Sequence, residues 1–369
     1  MSLRVDGSMT ATESPRQADF SLEADQESVR DTFSAFFSRE SPVSLVRECE
    51  PSGFDSGLWA KLSDLRVIAM AVPTAQGGDG AGWVDLVLLT EQWGRTLAPI
   101  PLAESIVATR AVAAGGADVP GELLESAIAG KRLLTFAHHP AVPGQPQLVQ
   151  AGAVADAVVA MVDDHLVLAS SESELAIVRN QGRTPMAWWE IGGPETGSVV
   201  LASGARAREL FSAAKREWRL LMAGALVGMT KGALDIALAH ARDRVAFGVP
   251  IGSFQAVAHP LVDVAMDLEM ARRITWKAAW WADRDPACEH QLIPMAYLFA
   301  EEAAVRSATV GVHTLGGVGF TVEADEQLFF RRAKGWTLMA GDPLAELDAI
   351  ADVVLGPKPD NGALSGVPA

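Results

Sequence analysis

The segment Arg244 to Gln255, RVAFGVPIGSFQ, gathers residue types suited to a ligand that carries both phosphate and a flat ring. Arg244 offers a guanidinium that pairs with phosphate by charge-assisted, often bidentate bonds. Phe247 and Phe254 offer apolar faces for a ring, and Gln255 offers an amide for a ring edge. The same residues also suit a plain helix–turn–helix junction with a surface arginine, and taken alone they favour that reading. A second segment, His313 to Thr321 (HTLGGVGFT), places Gly316, Gly317 and Gly319 after a helical pattern. Glycines there permit positive φ or close approach of a ligand to the backbone. No strand precedes them and the spacing is wrong for a dinucleotide fingerprint. A lone histidine such as His313 is more often structural than catalytic. No GxSxG, P-loop or HExxH is present.

Three zones must hold these segments. In the first, Val29, Phe33, Phe36 and Phe37 recur at helical spacing, and helices follow at Leu58–Leu65, Asp85–Gly94 and Ser105–Ala114. A loop rich in Gly77, Gly78, Gly80 and Gly82 interrupts them. The second zone has short apolar runs, Ala157–Val162 and Leu166–Ala169, with Asp163-Asp164-His165 where a hairpin turn belongs. Val199–Leu201 is a further strand candidate. The third zone is helical, with patterns over Glu217–Arg242, Val262–Asp283, Met295–Leu315 and Ala345–Leu355. The first of these should end near Phe247. Asp342 should cap the last helix, with Pro343 at its first position. The charges Glu323, Asp325, Glu326, Arg331, Arg332 and Lys334 read as a solvated helical face. Segregated helices, strands and helices predict an α+β chain. Its parts are a disordered 1–20, an N-terminal helical domain 21–130, a small middle β-domain 131–206, a C-terminal four-helix bundle 207–355, and a loose tail 356–369.

Composition narrows the function. The chain has 369 residues, with 30 Lys+Arg against 46 Asp+Glu, a formal net charge of −16. That balance excludes nucleic acid as a natural partner. Two cysteines, Cys49 and Cys288, with no CxxC, argue against a disulfide framework or zinc site and place the chain in a reducing cytoplasm. The apolar stretch Leu220–Met229 is about half the length a bilayer needs, so no membrane span is expected.

Taken together, three segments resemble the acyl-CoA dehydrogenase family. They are LWAKLSDLRVIAMAVPTAQGGDGAGWVDLVLLTEQWGRTLAPIP, RVAFGVPIGSFQAVAHPLVDVAMDLEMARRITWKAAWWAD and HTLGGVGFTVEADEQLFFRRAK, in the family's order. The resemblance implies a cofactor, FAD, an acyl-CoA thioester substrate, and α-proton abstraction by a carboxylate with hydride transfer to the flavin. It implies that Arg244, Phe247, Phe254, Gln255, His313, Gly316 and Gly317 reach the pyrophosphate and adenosine of FAD held by a neighbouring subunit. Arg219 matches a commonly charged position near the substrate.

The sequence departs from the family at the base. One family position for it falls on Ala340, the other on Trp218, and neither accepts a proton. Glu217 and Asp342 are the nearest carboxylates, although one residue along a helix turns a side chain about 100° away. The flavin loop of the middle domain is also not recognisable; Leu133–Ala137 stands near its place. Three readings follow. The chain is one subunit of a paired, α2β2-type acyl-CoA dehydrogenase acting on bulky thioesters, its base supplied by the partner. Alternatively it is a self-sufficient homo-oligomer with a displaced base, or a flavin-free scaffold on the same fold.

Overall fold

The computed structural model describes residues 21–115, 119–171, 174–192, 198–284 and 286–356. The segments 1–20 and 357–369, expected to be loose, lie outside them, as does the side chain of Cys288.

Helices α1 (Ala24–Glu40), α2 (Val43–Glu48), α3 (Ser56–Asp64) and α4 (Val67–Ala71) lead into α5 (Trp83–Thr96), α6 (Leu102–Ala113) and α7 (Gly121–Ile128). The stop signals seen in sequence act locally. Asp55 caps α3, its carboxylate accepting from Leu58 N at 2.6 Å. The glycine loop after α4 folds back on it, with Gly80 N donating to Val72 O at 3.0 Å. Residues of α5 from Val84 to Gly94 are nearly all buried, so this helix is the centre of the first zone.

The strands follow: β1 (Leu134–Phe136), β2 (Pro146–Val149), β3 (Ala157–Val162), β4 (His165–Ser170), β5 (Ala187–Glu190) and β6 (Val199–Ser203). One sheet has the order β1-β3-β4-β6, and β2 pairs with β5. The β3–β4 hairpin turns at Asp163-Asp164, with Asp163 at φ 48°. Strand β3 is buried on both faces. Ala157, Val159 and Met161 join the main core, while Val158, Ala160 and Val162 join a second cluster with Val149 and Trp189. The two-residue period divides one apolar run between two cores.

Helix α8 (Gly204–Asp243) is the spine of the third zone. It is apolar and long enough to cross a bilayer, but 83% of its most apolar stretch is buried inside the protein, as in a core helix. It crosses α5 at glycines. A Cβ on Gly228 would lie 1.8 Å from Glu91 O, and one on Gly94 would lie 1.8 Å from Ala225 O. The helix ends at Asp243, four residues before the expected Phe247. The backbone there turns into a hairpin of β7 (Val245–Ala246) and β8 (Val249–Pro250).

Helices α9 (Gln255–Arg284) and α10 (Pro286–Leu315) are each longer than expected, because Pro260 and Pro294 lie inside them. Pro260 sits close enough to the start of α9 that its missing N–H falls near the turns least dependent on internal bonds. Arg306, late in α10, pairs with Asp263 and Asp267, early in α9, so the two run antiparallel. Helices α11 (Glu326–Thr337) and α12 (Pro343–Leu355) lean on α10. Asp342 caps α12, accepting from Leu344 N at 3.0 Å, with Pro343 at the first position. The charged segment from Glu323 to Lys334, most of it in α11, is not a solvated face throughout. Glu326 is 0% and Arg332 2% exposed, because α11 presses both between α10 and the first zone.

Candidate cofactor-binding end and catalytic positions

Helices α8 and α10 both run antiparallel to α9, so the α8–α9 hairpin and the glycine segment after α10 lie at the same end of the bundle. Arg244 terminates α8, its N–H donating to His240 O at 2.9 Å, and its side chain is exposed. Phe247 is 97% exposed and holds φ 54°. A left-handed aromatic residue in water costs about 1 kcal/mol of backbone strain with no burial to offset it. Its ring meets Phe254, edge to face at 6.2 Å. Gln255, His313, Gly316 and Gly317 are exposed as well. Gly316 uses its freedom, at φ 64°. A Cβ on Gly316 or Gly317 would meet nothing within 4 Å, so the space above that backbone is open. Every residue expected to touch the adenosine half of FAD therefore faces outward. The donor set fits: a guanidinium for phosphate, two phenyl faces for the ring system, an open glycine cradle and an amide.

The two base positions are closed. Trp218 is 1% exposed, and its Nε1 donates to Glu104 Oε1 at 3.0 Å. Its ring packs 4.2 Å from His138 and 6.0 Å from Tyr297. Ala340 ends a short 3₁₀ turn, and Gly341 follows at φ 103°. The two carboxylates considered instead are engaged elsewhere. Glu217 receives both Arg110 Nε and Nη2 at 2.9 Å, and Arg110 also bonds Ala71 O, so this pair joins α8 to α6 and α4. The turn from Trp218 to Glu217 sends it to that face, away from the indole. Asp342 is the cap of α12. Arg219 is 8% exposed and pairs with Glu346 of α12. Lys215 lies one turn before it, its ammonium pushed down by burial and by Arg219.

Sequence patterns missed Glu104, His138, Gln150 and Glu346. Glu104 is 2% exposed, accepts from Trp218 and from Gln150 Nε2 at 3.1 Å, and is pushed up by burial. Its signal was a lone acid in the apolar run LAESIVA. Burial pushes His138 down to about 3, so its imidazole is a poor proton acceptor near neutral pH. A cavity of about 400 Å³ opens between His138, Gln150, Asn180, Gly182, Thr184 and Met339. It has amide groups for a planar ligand, and its lining among the described residues holds no carboxylate to take a proton.

Models of the acyl-CoA dehydrogenase N-terminal and C-terminal domains match residues 23–130 and 210–355. The acyl-CoA dehydrogenase IpdE2 of Mycolicibacterium smegmatis is 28% identical over 88% of this chain and 97% of its own. FadE27 of Mycobacterium tuberculosis is 28% identical over 80% and 87%. Among solved structures, the ChsE4-ChsE5 complex of Mycobacterium tuberculosis superposes with a TM-score of 0.79 at 26% identity, covering 92% of this chain and 100% of that one. With both terminal domains matched and the same three-part order of helices, sheet and bundle, the chain belongs to the acyl-CoA dehydrogenase family.

Proposed function

We propose that this chain is the base-lacking subunit of a paired acyl-CoA dehydrogenase. A second chain of the same family holds the flavin ring, the acyl-CoA thioester and the carboxylate base, in a dimer of dimers. FAD, when bound, accepts the hydride from the β-carbon of the thioester. In this chain Arg244 neutralises phosphate charge at the partner's cofactor. Phe247 and Phe254 cover the adenine side, and Gln255 and His313 bond ring and ribose edges. Gly316 and Gly317 let the backbone come close. The substrate belongs to the bulky acyl-CoA class, and the setting is a reducing cytoplasm.

One observation carries the reading. The surface suited to the adenosine half is built outward at a cost in backbone strain, while both base positions hold Trp218 and Ala340. The ChsE4-ChsE5 structure, a complex of two differently named chains, supports pairing.

The test is purification of this chain alone and with a second acyl-CoA dehydrogenase chain. The paired preparation is expected to be yellow, with one FAD per pair, and to bleach with acyl-CoA; this chain alone is expected to be colourless. A flavin-loaded homo-oligomer of this chain that bleaches with acyl-CoA would overturn the proposal. A colourless preparation in every combination would make the chain a scaffold.

A further inference from the structure

Glu50, at the end of the α2 turn, meets three arginines from elsewhere in the chain. Its Oε2 lies 2.5 Å from Arg331 Nη2 and 3.2 Å from Arg183 Nε, and its Oε1 lies 2.8 Å from Arg332 Nη2. Gly53 permits the approach, at φ 67°; a Cβ there would lie 2.5 Å from Arg183 O. Burial pushes the Glu50 carboxyl up, but Arg332 and Arg331 outweigh it and hold it below the usual range. One carboxylate therefore balances one of three guanidinium charges. Of the neighbouring described carboxylates, Asp55 is held as the cap of α3, accepting from Leu58 N. Asp325 is taken by Arg47 at 2.6 Å. Burial pushes Glu104 and the Cys49 thiol up, towards their neutral forms.

Beside this cluster is a cavity of about 20 Å³, lined by Arg183, Arg332, Gly53, Thr184, Glu104 and Trp336 among others. Arg332 is 2% exposed, yet among the described residues its buried Nη1 has no hydrogen-bond partner, and Arg183 Nε keeps its 3.2 Å ion-pair contact with Glu50 without a well-aligned hydrogen bond. Buried guanidinium N–H groups left unmatched are costly. The space admits one water-sized group. A water would match the N–H groups but not the surplus charge.

We propose that this cavity is a site for one small monovalent anion of the halide class, chloride in ordinary buffers. The anion sits against Arg332 Nη1 and Arg183. It joins the α2–α3 loop, the strand-rich part and α11, which also meet through Glu50 and through Trp336 Nε1, a donor to Gly182 O at 3.0 Å. The inference is independent of the pairing proposed above.

The test uses the full chain. Crystals grown in sodium bromide are measured at the bromine absorption edge. Melting temperature is compared in sodium chloride and sodium gluconate at equal ionic strength, for the parent and for Arg332→Gln and the milder Arg183→Gln. The expected result is an anomalous peak in the cavity and a melting temperature higher in chloride by roughly 2–4 °C, with that difference reduced in Arg183→Gln. A cavity without an anomalous peak, or equal melting temperatures of the parent in the two salts, would overturn the proposal.

Discussion

Replacing Gly228 with alanine asks whether the α5–α8 crossing sets the stability of the chain. The added Cβ would lie 1.8 Å from Glu91 O and 2.7 Å from Arg95 N, whereas ordinary contact begins at 3.4 Å. The atoms in the way are backbone, so no side chain can rotate aside. Helix α5 must retreat from 1.8 Å to 3.4 Å, roughly 1.6 Å, and the second close contact, Gly94 on Ala225 O, opens with it. Overpacking of this kind costs about 1–3 kcal/mol and sometimes more. Alanine returns up to about 1 kcal/mol through helix propensity. A net loss of about 2 kcal/mol is expected, read as a lower urea midpoint with unchanged slope. The control is Gly121→Ala at the start of α7, where a Cβ meets nothing within 4 Å, and it should be neutral or stabilising by up to about 1 kcal/mol. If Gly228→Ala unfolds at the parent's midpoint, the close crossing is not what holds these helices.

Phe247→Ala should leave the urea midpoint within about 0.5 kcal/mol of the parent, because the ring is 97% exposed, while flavin retention by the paired enzyme falls at least tenfold, seen by absorbance after gel filtration. Glu217→Gln should leave turnover of the paired enzyme unchanged and lower stability by about 1–2 kcal/mol, since it breaks a bidentate pair with Arg110. Glu326 is pushed up to about 9 by burial and by Asp325, and both its oxygens lack hydrogen-bond partners among the described residues. Its raised value means stability is greatest below the unfolded carboxylate range and is lost as pH rises towards 9. Glu326→Gln should remove that slope and be more stable than the parent at pH 8 by about 2–4 kcal/mol, measured by urea midpoints across pH.

The short apolar runs of β3 and β4 and the turn at Asp163-Asp164 were legible because a brief apolar run bounded by a polar turn is local information. The long helices were legible in kind but not in extent: the patterns over Val262–Asp283 and Met295–Leu315 begin after Pro260 and Pro294, whereas both helices run through those prolines. The end of α8 was misplaced because the pairing of Val245-Ala246 with Val249-Pro250 leaves no periodic mark in so short a hairpin. The outward cluster from Arg244 to Gln255 was visible as a motif, since its residue types stand close together along the chain. Glu104, Gln150 and Glu346 were not, because each becomes meaningful only through partners far along the chain, Trp218 at 114 residues and Arg219 at 127. The charges of α11 misled for the same reason: Arg332 is buried by Glu50, which no helical pattern connects to it.

The bond from Trp218 to Glu104 bears on descent. A carboxylate placed at position 218 by Trp218→Glu would face the Glu104 carboxylate in a buried site, where ionising both is strongly disfavoured. The vacated indole volume would also leave His138 and Tyr297 without the ring they pack against. Glu104 would have to change before a base could return, and that change alone would strand the indole N–H. Each single step towards a carboxylate at position 218 is harmful, so the Trp218–Glu104 pair behaves as a ratchet.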